Sequence, residues 1–311
     1  MKQSRKTALV FLFILAAGAV RIPMERSLTA DLRSQKLLPK SLPLGIGEKL
    51  GQTGAAVSLG GLRTLVATFL NLRAYTAFTE KRWRDVEKTF DAIVNLAPHT
   101  EYYWATGAWH LAYNAAASFK EDKDLSPLRR RELWKAYVLK GRDFLERGIR
   151  NNPDDWQLNV ELGDLLSSED KIAAFGDRTA ALTDAMNAYR SAAETGNAGL
   201  FVSRGSFYCL ARLPGRESEA LAIGEKLFET RANRTPTLLA LLIALSKHAD
   251  PSLDSGALAQ KLFSDDGQAY AALSGLWQGR EGYPVDGFAE ALKTLETRLG
   301  IPPEKSILGT R

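Results

Sequence analysis

The chain has few of the residues that carry chemistry. Cys209 is its only cysteine, which excludes an internal disulfide framework, a Cys-rich zinc site and a lipidated cysteine near the start. The histidines, His99, His110 and His248, are scattered, and none has a second ligand at helical spacing, so no metal site is expected. Phosphate-binding loops, dinucleotide fingerprints and a Gly-x-Ser-x-Gly nucleophile elbow are missing. Glu161 with Asp164, or Glu169 with Asp170, could pair as carboxylates, but on soluble helices such pairs are ordinarily solvated. His110 lies on a helix face among aromatics and reads as a core or groove histidine, and Cys209, within FYCLARL, reads as a packing residue. The expectation is a protein that is not an enzyme, with no catalytic residue, no metal and no cofactor.

What is present is enough apolar material for a sizeable core, 45% of residues against 25% charged. The net charge of +5 would suggest nucleic acid, but Lys2, Arg5 and Lys6 supply three of those charges and no nucleic-acid motif accompanies the rest. Between Arg129 and Arg150, eight basic residues face three acidic ones. That run reads as a solvated helix face, with contact to anionic lipid headgroups or an acidic partner as the alternative.

Residues 1–20 place this basic start before an uncharged stretch from Thr7 to Val20. As a helix it spans roughly 21 Å, short of the ~30 Å hydrocarbon core and suited to a signal peptide or signal anchor. Ala17-Gly18-Ala19 offers a cleavage site after Ala19. Export to the periplasmic side of the inner membrane is expected, anchored or released. Residues 21–60, rich in Pro, Gly and Ser from Pro39, read as a membrane-proximal segment and linker.

Beyond the linker, helix follows helix. Leu70, Ala74 and Ala77 share one helix face, then Val86, Phe90 and Ile93 a second, closed by Pro98. Trp104, Ala108 and Leu111 begin a second pair, whose partner helix carries Trp134, Tyr137, Gly141, Phe144, Leu145 and Gly148. A third pair runs through Leu162, Gly163 and Leu166 to Ala185, Tyr189 and Ala192. A fourth begins at Phe201 and continues as Ala220, Gly224 and Leu227 after Pro214-Gly215. Residues 235–249 form a strongly apolar helix, and a last helix starts at Pro284-Val285-Asp286 and stops at Gly300.

These spacings resemble the tetratricopeptide repeat, whose 34-residue unit needs small residues where two helices pack closely and proline where the second ends. The resemblance covers roughly residues 61–231, with about 21 extra residues around Phe119–Leu133 and about 10 around Ser168–Asp177. Arg73, Asn159 and Tyr208 depart from the pattern. It implies an all-α fold, an α-solenoid of antiparallel helix pairs, with residues 232–311 as degenerate repeats that cap it. It also implies a concave groove lined by Thr68, Asn71, Tyr75 and Phe78, by Tyr102, Ala105, Trp109 and Ala112, and by Gln157, Val160, Asp164 and Ser167. Of these, Asn71, Tyr75, Phe78, Tyr102, Trp109, Gln157 and Asp164 are the candidate partner-binding residues.

The leading expectation is a non-catalytic scaffold on the outer face of the inner membrane, holding a protein or peptide in that groove. A structural subunit of a secretion- or pilus-type envelope assembly is the first alternative. A helical domain that positions substrate for an envelope enzyme on another chain is the second.

Overall fold

The computed structural model describes residues 62–279 and 282–310, together with Ser27. The expected targeting segment, its cleavage after Ala19 and the linker through residue 60 lie outside the described residues. The described chain is all-helical, with no strand among the described residues. None of these helices is long and apolar enough to cross a membrane. The chain divides into two compact units, the first ending at Leu158 and the second beginning at Asn159.

The first unit opens with a helical hairpin, α1 (Arg63–Thr79) and α2 (Trp83–Leu96). α1 buries only Ala67, Ala74 and Ala77, whereas α2 buries Trp83, Val86, Phe90, Ile93, Val94 and Leu96. Small residues on one helix thus meet large ones on the other, as the sequence spacing predicts. At the turn, the Lys81 N–H donates to Phe78 O (2.9 Å) and the Arg82 N–H to Ala77 O (2.9 Å), a Schellman closure of α1.

The next helix is continuous in three parts: α3 (Glu101–Trp109), a π-helical segment (His110–Ala115) and α4 (Ala116–Glu121). Its buried residues come in pairs four apart: Tyr103 and Trp104, Gly107 and Ala108, Leu111 and Ala112, Ala115 and Ala116. In a regular α-helix a repeat of four drifts by about 40° per step. The π turns wind less per residue and cancel that drift, so the stripe faces one partner throughout. That partner is α5 (Pro127–Asn151), started by Pro127 and by the Ser126 hydroxyl, which accepts from the Arg129 N–H. Gly141 of α5 is required by the close approach, because a Cβ there would lie 2.5 Å from the Ala112 Cβ and 3.0 Å from Ala108 O. The extra residues around Phe119–Leu133 are therefore mostly helical and lengthen both helices. Charge pairs tie α5 to α2, with Lys140 on Glu87 (2.5 Å) and Arg147 on Asp91 (2.9 Å).

The unit boundary falls within α6 (Trp156–Ser167). In the second unit α7 (Arg178–Glu194) packs on α8 (Leu200–Leu210). The Tyr189 ring lies against Gly163 and Gly205, where Cβ atoms would come within 2.9 Å of it. α9 (Glu217–Glu229) packs on α10 (Pro236–Ala249), in which every residue from Leu238 to Leu245 is buried. A helix apolar on all sides belongs in a core, and α10 is the centre of this one. α11 (Ser255–Leu262), α12 (Asp266–Gln278) and α13 (Phe288–Leu299) follow, with α13 packing on both α11 and α12.

The last helix begins later than its proline suggests. Gly287 takes the left-handed conformation (φ 73°), which no helix carries through, so α13 starts at Phe288. Gly300 (φ 65°) ends it, as expected. α11 and α12 were not anticipated from apolar spacing. Their caps were nonetheless visible in the sequence: Asp254 accepts from the Ala257 N–H and Asp265 from the Gln268 N–H.

Candidate partner-binding site

Two of the candidate residues, Phe78 and Trp109, meet at a histidine in the first unit, and a third, Tyr75, borders Phe78. Tyr75 and Phe78 come from the last turns of α1, with ring centroids 6.4 Å apart. Phe78 lies 4.9 Å from His110, and Trp109 lies 5.2 Å from it on the other side. Phe90 of α2 supports the histidine from the core at 5.5 Å. The cluster is only half covered: Tyr75 is 68% and Trp109 48% exposed, while Phe78 and His110 are half-buried.

His110 is the hub that sequence spacing did not single out as a binding residue. It is the first residue of the π segment, and π turns recur at functional sites. The Asn114 amide nitrogen lies 3.2 Å from its Nδ1, an arrangement in which the amide donates and Nδ1 accepts. Burial lowers the imidazole's pKa, so it stays neutral at physiological pH. A neutral ring with Nδ1 occupied presents Nε2–H as a donor beside three aromatic faces.

The remaining candidates are placed differently. Asn71 is half-buried on α1. Tyr102 is 55% exposed but pairs with Tyr103 (5.6 Å). Ala112 is fully buried against Gly141, a correction to its groove assignment that follows from the changed phase of the π segment. Gln157 is exposed near the end of the first unit. Asp164, in the second unit, accepts a hydrogen bond from the Tyr189 hydroxyl, so its carboxylate is engaged within its own unit.

The second unit presents a different chemistry. Glu169 accepts from both Arg178 and the nearly buried Arg212, and Arg212 also donates to Ser167 O (3.0 Å). Burial alone would raise the Glu169 carboxyl, but the two guanidinium groups override it and hold the pKa below the usual range. The pair anchors the segment after Ser167 and is a structural staple. Cys209 is buried, and desolvation pushes its thiol up to about 11, leaving it protonated and inert as a nucleophile. Among the described residues no group of three or more His, Cys, Asp or Glu could hold a metal ion.

No family profile, curated protein or solved structure matches this chain.

Proposed function

We propose that the protein is a non-catalytic scaffold of tetratricopeptide-like helix pairs, arranged as an α-solenoid, that binds an extended peptide on the outer face of the inner membrane. The observation that carries this reading is the packing of Phe78 and Trp109 on His110, with Tyr75 beside Phe78 and with Tyr75 and Trp109 exposed. Large aromatics left in solvent on a well-packed scaffold are the residue types that anchor interfaces. The His110 Nε2–H adds a donor for a peptide carbonyl, and half-buried Asn71 adds both donor and acceptor. Pairing of α1 with α2, and of α3 and the π segment with α5, supports the repeat reading of the first unit.

A selection of short displayed peptides on the folded protein tests this. Peptides recovered on the unaltered chain are expected to lose tenfold or more in affinity when Tyr75→Ala and Trp109→Ala are combined, as truncated anchors do. Equal binding to the double variant would refute the site.

The reading as a structural envelope subunit is favoured by a separate feature. Leu62, which precedes α1, and Leu65, Phe69 and Leu72 within it are each more than half exposed and recur at spacings of three and four. That is the pattern of a helix face that packs against another helix.

A further inference from the structure

The basic run of α5 does not lie wholly in solvent. On the first unit, α5 and the α1–α2 turn enclose a cleft of about 520 Å3, within the size range of small-ligand sites. Its walls include the side chains of Trp83, Phe119 and Tyr137. Lys81, Arg82, Arg84, Arg129 and Lys140 also line it, against a single acid, Asp85.

The five cations are not equivalent. Arg82 is held by Glu80 and Asp85, Arg129 by Glu132 (3.2 Å) and Lys140 by Glu87 (2.5 Å). Lys81 and Arg84 have no carboxylate partner among the described residues, and both are exposed. Arg84 and Tyr137 both border the cleft. Burial and Glu87 push the Tyr137 hydroxyl up, and the Arg84 cation acts on it in the opposite direction. Trp83 and Arg84 are also the first two residues of α2, and no side chain caps that helix. Its uncapped N-terminus adds partial positive charge where the two unpaired cations sit.

Lys81 supplies an independent signal. It occupies the C′ position of the Schellman turn with φ 53°, the only non-glycine residue with positive φ among the described residues. Glycine is usual there, and a Cβ in that region is disfavoured. A lysine kept where glycine would be more stable is consistent with a use for its side chain, since such strain gathers at functional positions.

We propose that this cleft is a second binding site, which takes a small oxyanion carried on an aromatic body. The oxyanion meets Lys81, Arg84 and the start of α2, while the ring lies against the aromatic walls. The same chemistry could arrive on a free aromatic phosphate or on an acidic peptide side chain next to an aromatic one. The site lies outside the Tyr75–Trp109 cluster and does not depend on the peptide-binding reading.

The test titrates the full chain with phenylphosphonate at low ionic strength, followed by phosphorus NMR and calorimetry. Saturable binding is expected, about tenfold or more tighter than for inorganic phosphate or for neutral benzamide, because each lacks one half of the recognition. Arg84→Gln should weaken it about tenfold, and Arg84→Lys should largely restore it. Lys81→Gly should weaken it similarly while raising the melting temperature by roughly 2–4 °C, a combination that a merely structural lysine cannot give. Trp109→Ala should leave it unchanged. Displacement of phenylphosphonate by a hexapeptide with glutamates flanking a phenylalanine would assign the ligand to a peptide; binding of the free compound alone would assign it to a small molecule. Binding no tighter than inorganic phosphate, or unaltered in both Lys81→Gly and Arg84→Gln, would overturn the proposal.

Discussion

The two units handle their apolar residues in opposite ways. Among the described residues, Leu62, Leu65, Phe69, Leu72, Tyr75, Tyr102, Trp109 and Leu128 of the first unit stay exposed, whereas the second unit leaves Leu200, Phe201 and Leu299 so. The second unit folds its most apolar segment, α10, into its centre. The first buries Val86, Phe90, Ile93, Trp104, Leu111 and Phe144 beside a stripe of alanines and glycines, yet leaves a further set of large side chains outside. Burying a Leu or Phe side chain is worth roughly 1.5–3 kcal/mol, so the five exposed Leu and Phe residues of the first unit carry a cost that a partner could recover. Among the described residues, the exposed large apolar side chains are thus concentrated in the first unit.

That comparison can be tested by substitution. The largest effect is expected from Ala108→Trp. Ala108 is buried and its carbonyl lies against Gly141, so an indole there overpacks the closest helix contact in the first unit. A loss of about 3 kcal/mol or more is expected, seen by circular dichroism as an early melt. A melt close to that of the unaltered chain would mean that the α3–α5 contact is not tight.

In the second unit, Glu169→Gln should cost about 2 kcal/mol at neutral pH, because it leaves the nearly buried Arg212 without its carboxylate. The Glu169 pKa is depressed in the folded state. Its contribution is therefore complete above the unfolded carboxyl value of 4.5 and is lost as pH falls through the lower folded value. Melts of the two proteins should converge below pH 4.5; a constant gap would show that the carboxylate is not the source.

A smaller pH effect is expected from the first unit. His110 is held neutral by burial, so the unfolded chain binds its proton more readily. Stability should decline as pH falls below 6.5, and His110→Gln should flatten that part of the profile. An unchanged slope would place His110 in ordinary solvent.

The smallest effect on stability is expected where the effect on binding is largest. Trp109→Ala and Tyr75→Ala should each shift stability by no more than about 0.5 kcal/mol, as surface changes do. If Trp109→Ala melts as early as Ala108→Trp, Trp109 belongs to the core and the contrast between the units fails at its central residue.

Much of the helical architecture was legible without coordinates, because helix formation and termination are local. The spacing of Leu70, Ala74 and Ala77, and of Val86, Phe90 and Ile93, marks the faces on which α1 and α2 pair. Thr235-Pro236 marked the start of α10, and Gly300 marked the end of α13. The unbroken apolar run of α10 already required a site covered on all sides. The repeat of four from Tyr103 to Ala116 stands in the sequence, but spacing alone does not distinguish π turns from a regular helix. Only the packing of α5 across Ala108 and Ala112 selects π turns, which removed Ala112 from the groove. Phe78 and Phe90 reach His110 across 32 and 20 positions of chain, and Lys81 and Arg84 share a cleft with Tyr137 across 56 and 53. Local spacing sets which face of a helix is apolar, but it does not set which distant side chains share that face's neighbourhood. That choice falls to tertiary packing, where shape, desolvation and charge are satisfied together.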